Sequence, residues 1–240
     1  MLIDTTFNVY SDAQGGDPDR TSPTLRLYHK ILWSKPLPNG RTFDLTNIMS
    51  GVYLYHNSDL GEFYLGSDAI THSYKNHKRK QWLIQQIQDE AKQLFETGST
   101  IGAYTLFPNN RVDGKHTINQ ARGVNSLIDD RFDLTLECIR LFYFGQQNPL
   151  YDTLLRYKNF FNLFDSFIGY INFFLLDDLV DEYQEIKFYL PFDNFKTKPT
   201  FADIEEYLMY KKGVMNFIKS RNERIVAYAN RQTIEQYASR

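Results

Sequence analysis

What this chain lacks narrows it before anything it contains. It has one cysteine, Cys138, among 240 residues, so no internal disulfide can staple the fold and a reducing, cytoplasmic setting is expected. No stretch approaches the roughly 20 apolar residues of a membrane span, and the start carries no basic stretch followed by an apolar one, as a signal peptide would; no membrane partner is expected. Positive charge is not in surplus: 27 Lys and Arg stand against 29 Asp and Glu, for a net charge of −2. That balance excludes a generic nucleic-acid coat, because counterion release needs excess cations, and leaves only a local basic patch. The five histidines are scattered. Only His72 and His77 lie close, at a spacing that misses the i, i+4 pairing of a helical metal site, so no metal ligands are assigned. There is no P-loop, no dinucleotide fingerprint and no nucleophile elbow. Cys138, set in LTLECIRLF, reads as a small core residue.

What is present in abundance is aromatic rings. Phe and Tyr number 19 and 17, and hydrophobic residues make up 42% of the chain, so burial should rest on ring packing rather than on aliphatic side chains. With no internal repeat and no low-complexity linker, residues 1–240 read as a single domain.

Turn formers crowd SDAQGGDPD and KPLPNG, and between them SPTLRLYHKILW has helical spacing, with Ser22 as N-cap and Pro23 at the first helical position. GVYLYHN and GEFYLGS predict a hairpin turning at Ser58 and Asp59. QWLIQQIQDEAKQLF predicts one helix, and TIGAYTLFP a strand stopped by Pro108. The run from Asn125 to Phe144 repeats apolar residues every three or four positions, a buried helical face. PLYDTLLRYKNFFNLF predicts another helix, GYINFFLLDDLVDE a helix or a buried strand, EIKFYLPFDNF a strand ending at Pro191, and the last forty residues one or two helices. The fold class is α+β: a small, mostly antiparallel sheet packed against several helices, with a helix-rich C-terminal half.

Five strings, SPTLRLYHKILWSKPLPNG, LGEFYLGSDAITHSY, DGKHTINQARG, DRFDLTLECIRLFY and FYLPFDNF, together resemble an uncharacterised bacterial family known only as a domain of unknown function. The resemblance spans nearly the whole chain. It implies a stand-alone bacterial cytoplasmic protein and brings no activity or catalytic residue with it.

The densest chemistry lies in NNRVDGKHTINQARG, residues 109–123, which gathers Arg111, Asp113, Lys115, His116, Asn119 and Arg122. On an extended Thr117–Asn119 the polar groups would divide between two faces. A loop around Gly114 would instead make a concave cluster, with Arg122 near the start of the next helix and suited to an anion. On that reading Asp113, Lys115 and His116 are catalytic, and Arg111, Asn119 and Arg122 bind substrate. Lys78, Arg79 and Lys80, from the basic run HSYKNHKRK (72–80), flank them. The bland alternatives are a hairpin with solvated charges and a solvated loop leading into a helix from about Lys80 to Glu96.

Asp113 and Lys115 also have the carboxylate-x-lysine spacing of one nuclease superfamily, where a carboxylate holds a divalent cation and the lysine stabilises charge on the attacked phosphate. A divalent metal belongs to that reading; the cofactor is otherwise unknown. Glu90 with Lys92 and Glu185 with Lys187 share the spacing, and no upstream carboxylate precedes Asp113 at the expected place. GGDPD, residues 15–19, looks like the glycine-x-aspartate-proline element of uracil-type DNA glycosylases, which implies that Asp17 orients an attacking water. Asp19 stands where those enzymes place an aromatic residue, and no His-Pro-Ser segment follows. As a turn, the same residues need no ligand. In DDRFDLTLECIR, Asp129, Asp133, Glu137 and Arg140 recur at helical spacing and are expected on an exposed face.

The expected function is an enzyme acting on nucleic acid or a nucleotide, a hydrolase of bacterial defence or host conflict. It requires Asp113, Lys115, His116 and Arg122 to converge on one cavity. The alternative is a non-enzymatic binding or regulatory protein with an aromatic partner surface; a further one is glycosylase-like base excision through Asp17. The sequence leaves the oligomeric state open.

Overall fold

The computed structural model describes residues 3–46, 52–71 and 78–238; the side chains of Arg79 and of residues 233–238 lie outside the description. Helix α1 (Pro18–Thr21) runs into α2 (Pro23–Trp33), which Ser22 caps by accepting the Leu25 amide at 3.1 Å, while Asp12 in turn accepts the Ser22 hydroxyl at 2.5 Å. The cap and the proline fix the helix start as the sequence predicts. A two-stranded ladder of β1 (Lys35–Pro36) and β2 (Thr42–Phe43) follows. The hairpin of β3 (Leu54–Ser58) and β4 (Gly61–Ala69) comes next, turning at Asp59 and Leu60, one residue beyond the expected Ser58 and Asp59, because Ser58 still pairs with Gly61.

Helices α3 (Gln81–Ile84) and α4 (Gln88–Thr97) stand where one helix is predicted. The break has a local cause. The Gln86 side chain donates to the Trp82 carbonyl at 2.8 Å, and the Gln86 and Ile87 amides tighten onto carbonyls three residues back, so the helical ladder stops there. Strand β5 (Tyr104–Pro108) completes a three-stranded antiparallel sheet of order β3-β4-β5, in which Ser67 pairs with Leu106 and Asp68 with Thr105. Every residue of β5 is buried, so it forms the floor on which the second half packs.

That half is helical: α5 (Ile118–Val124), α6 (Phe132–Tyr143), α7 (Tyr151–Arg156), α8 (Lys158–Phe161), α9 (Phe167–Phe174) and the long α10 (Ile204–Ala238). The fold is α+β with helix in excess. A pleat of rings fills the centre: Phe160, Phe161, Phe164, Tyr170, Phe173 and Phe174 meet at centroid distances between 4.9 and 6.4 Å. Trp33 joins them at 5.2 Å from Phe174.

The predicted strand in EIKFYLPFDNF is absent. Its backbone is held by a side chain rather than by a neighbouring strand, since the Tyr189 amide donates to Asp133 Oδ2 at 2.9 Å. One short antiparallel bridge, Val180 to Ile186, is all the pairing described in this stretch.

Arg221 of α10 ties the last helix to the core. Its guanidinium is fully buried and donates to the carbonyls of Gly102, Tyr104 and Phe174 at 2.8–3.3 Å. Burial brings its pKa down to about 9, with Tyr170 and Tyr189 opposing the fall.

Candidate functional site

The loop 109–123 does turn at Gly114, where Asp113 and Gly114 both take positive φ (53° and 68°). It then enters α5 through a capping box: Thr117 Oγ1 accepts the Gln120 amide, and Gln120 accepts the Thr117 amide. Thr117–Asn119 is therefore the start of a helix and not an extended segment. The turn leaves Arg111, Asp113, Lys115, His116 and Asn119 exposed. Lys115 and His116 line a shallow open groove of about 620 Å³ with Arg156, whose guanidinium donates to the His116 carbonyl at 3.0 Å.

Arg122 does not join them. One helical turn after the exposed start of α5, its side chain passes inward and has no exposed surface, so the four residues expected in one cavity lie on opposite sides of the chain. Of the basic run, Lys78 is exposed, and residues 72–77 with the Arg79 side chain lie outside the described residues. Lys80 is buried: its ammonium reaches the Phe201 carbonyl at 3.4 Å and lies 4.2 Å from that ring's centre. Burial lowers its pKa, with Asp129 and Glu206 pulling it back up.

What Arg122 reaches is a carboxylate cluster assembled from four separate segments. Arg122 Nη1 donates to Asp68 Oδ2 on β4, Nε donates to Thr135 Oγ1 on α6 at 2.8 Å, and Nη2 donates to the Asp130 carbonyl at 3.1 Å. The Asp130 carboxylate lies 3.4 Å from the same Nη2. The rings of Phe107 and Phe132 flank the guanidinium at 5.9 and 5.7 Å. Beside Asp68, Ser67 donates its hydroxyl to Asp19 Oδ1 at 2.5 Å, which brings the GGDPD turn onto the sheet. Asp17 is the N-cap of α1, accepting the Asp19 amide at 3.3 Å, and stays exposed. The cluster opens to solvent through Asp17, the half-buried Asp19 and Asp130, and Tyr10.

Electrostatics follow from this crowding. Burial pushes the Asp19 carboxyl up to about 6; the Ser67 hydrogen bond and Arg122 pull against it, and Asp17 and Asp130 add like charge. The Asp68 carboxyl is raised as well, by burial first, against the pull of Arg122, with Asp130 and Asp19 reinforcing the rise. Burial works against the charge on Arg122, but Asp68 and Asp130 more than offset it and its pKa rises. Asp129 and Asp130 both hold positive φ (46° and 61°), a conformation that costs non-glycine residues free energy and gathers at functional sites.

The acidic face of α6 is not exposed, contrary to the sequence reading. Asp133 is fully buried between Arg131, which donates through Nε at 3.1 Å and Nη2 at 2.5 Å, and the Tyr189 amide. Glu137 is 4% exposed and takes two hydrogen bonds from Arg140. Helical spacing predicts which residues share a face but not which face is covered, and here the backbone at Tyr189 covers Asp133. Asp133 pairs with Arg131 and not with Arg122.

Among the described residues, no three His, Cys, Asp or Glu side chains gather as a metal-ligand set. None of the described helices is long and apolar enough to cross a membrane. The exposed rings among them, Tyr10, Trp82, Phe144 and Tyr183, sit on four different segments.

Sequence reasoning missed Ser67, Asp68 and Asp130 and took Asp19 only as a departure from a motif. One signal was there: in GEFYLGSDAI a Ser-Asp pair interrupts an apolar strand, and a carboxylate inside a buried strand demands a partner.

A family model described as a family of unknown function, DUF6994, matches residues 3–225. No curated protein and no solved structure matches the chain.

Proposed function

We propose, for a chain that belongs to this family of unknown function, a hydrolase acting on a nucleotide or nucleic acid at the bond between base and sugar, with Asp19 as its general acid. The observation that carries this reading is the setting of Asp19. Its carboxyl is partly open to solvent, held by Ser67 at 2.5 Å, and raised to about 6, where a carboxylic acid still has a proton to give near neutral pH.

The charge of the cluster selects the bond. Asp68 and Asp130 face a single Arg122, and Asp17 stands beside Asp19, so the site is net negative. A negative site stabilises the positive charge that develops on a sugar as its base departs, and opposes the negative charge that builds on an attacked phosphate. Protonation of the leaving base by Asp19, with the half-buried Asp130 carboxylate as the partner that takes a proton from the attacking water, completes the pair of carboxyl roles that such a cleavage needs. Tyr10, 43% exposed at the opening, offers a ring for a base to stack on. Asp17, the residue suggested by the glycosylase-like turn, sits beside this centre as helix cap and contributes charge.

The test is release of free base from nucleosides, nucleotides, DNA and RNA, followed by chromatography. Activity should need protonated Asp19 and so decline as pH rises through about 6. Asp19→Asn should lower the rate by about a hundredfold or more without lowering the melting temperature. Equal activity in that variant, or no base released from any of these substrates, overturns the reading.

A further inference from the structure

We propose that the cavity between the start of α6 and the segment 190–202 binds a planar heteroaromatic ring with the size and hydrogen-bonding edges of a nucleobase. The cavity holds about 230 Å³, room for one such ring with little to spare. Its floor is the buried guanidinium of Arg131, fixed in place by Asp133 and by the Pro199 carbonyl at 3.3 Å.

Its wall is aromatic and already arranged for stacking. Phe188 and Phe192 lie face to face, 4.1 Å apart and 17° from parallel, and Phe195 meets Phe192 edge-on at 4.9 Å. Phe192 and Phe195 line the cavity and all three rings are only partly buried. A flat ring is the shape that extends such a series.

The backbone is strained to keep Phe195 there. Asn194 and Phe195 both hold φ of 60°, which a bulky residue adopts only when its surroundings impose it. Asp193 imposes it by accepting the Lys196 amide at 3.0 Å and the Thr197 hydroxyl at 2.6 Å. A loop of exposed residues that existed only to connect elements would relax this conformation by carrying glycine at one of those positions.

The rim sets the chemistry of the occupant. Arg131 and Lys198 balance Asp193 and Glu206, so a phosphate finds no excess of cations there. Lys198 and Thr200 have no hydrogen-bond partner among the described residues and face a ligand edge as donors, while Glu206 keeps Oε1 as an acceptor after Oε2 takes the Ala202 amide at 2.7 Å. A ring with both donors and acceptors on its edge satisfies this rim, whereas a hydrocarbon ring would leave it unpaired. The proposal is independent of Asp19: Asp130 faces the carboxylate cluster and its neighbour Arg131 faces this cavity, so each can fail alone.

The experiment is an amide-resolved NMR titration of the full chain with adenosine, guanosine, cytidine and uridine in turn, and with ribose as control. At least one nucleoside at or below about 1 mM should shift the amides of residues 190–202, and ribose should shift none. Phe195→Ala should weaken that binding about tenfold while the melting temperature holds, and Lys198→Ala, a surface change that leaves folding untouched, should weaken it about threefold. Absence of shifts with all four nucleosides, shifts at other residues only, equal response to ribose, or undiminished binding in both variants would overturn the site.

Discussion

Arg122 joins a strand, a turn and a helix through one side chain that water does not reach, so its removal leaves the Asp68 carboxyl in an apolar setting without its donor. Arg122→Met should cost about 3–5 kcal/mol, read from urea denaturation, because a buried carboxylate without its cation is worse than no pair at all. Asp68→Asn, which keeps a hydrogen-bond acceptor toward Arg122, should cost clearly less; equal losses would contradict the account of an uncompensated charge. Little of this was legible beforehand. NNRVDGKHTINQARG draws the eye because polar groups adjoin in sequence, yet five of them end in solvent. Asp68, which matters to Arg122, stands 54 positions away. Proximity along the chain reports which groups are available, whereas burial is decided by the sheet that Arg122 passes beneath.

Single elements were read best where the signal is local. Ser22 followed by Pro23 marks a helix start because both act on their own backbone, and the hairpin turn, read within one residue of Asp59 and Leu60, needs only its neighbours. FYLPFDNF was misread for the complementary reason: its alternating rings suit a strand, but the donor at Tyr189 is taken by Asp133, 56 residues earlier. That single bond anchors a stretch with almost no ladder of its own. Asp133→Asn should therefore raise the hydrogen-exchange rate of the Tyr189 amide and its neighbours by about tenfold or more while the amides of β4 keep their protection. Uniform loss of protection across the molecule would show instead that Asp133 supports the whole fold. The break between α3 and α4 belongs with the same class of error, since a glutamine side chain competing for one carbonyl leaves no trace in hydrophobic spacing.

Across the whole molecule, the ring-rich composition announced the kind of core, and the α+β class followed from the sequence of strand-like and helix-like runs. The arrangement of its closing bolt did not follow. Arg221 looks like any charged residue in a long polar helix, yet it sits at zero exposure with three carbonyls around it and no carboxylate partner among the described residues. Arg221→Ala should lower stability by about 3–5 kcal/mol, measured as a fall in the midpoint of thermal unfolding, because those carbonyls lose their donor together with the packing of the side chain's stem. A variant that melts within about 2 °C of the parent would sink this assignment.

The position of Arg221 also has a meaning in time. Its partners at Gly102, Tyr104 and Phe174 are made by the ribosome before it is, and their carbonyls gain its guanidinium only when α10 arrives. A growing chain must therefore wait, with its phenylalanine-rich centre open, through the synthesis of the 47 residues that separate Phe174 from Arg221. Nascent chains stalled before and after residue 221 should differ sharply in protease resistance, and in the cell this protein should lean on the chaperones that shelter unfinished chains.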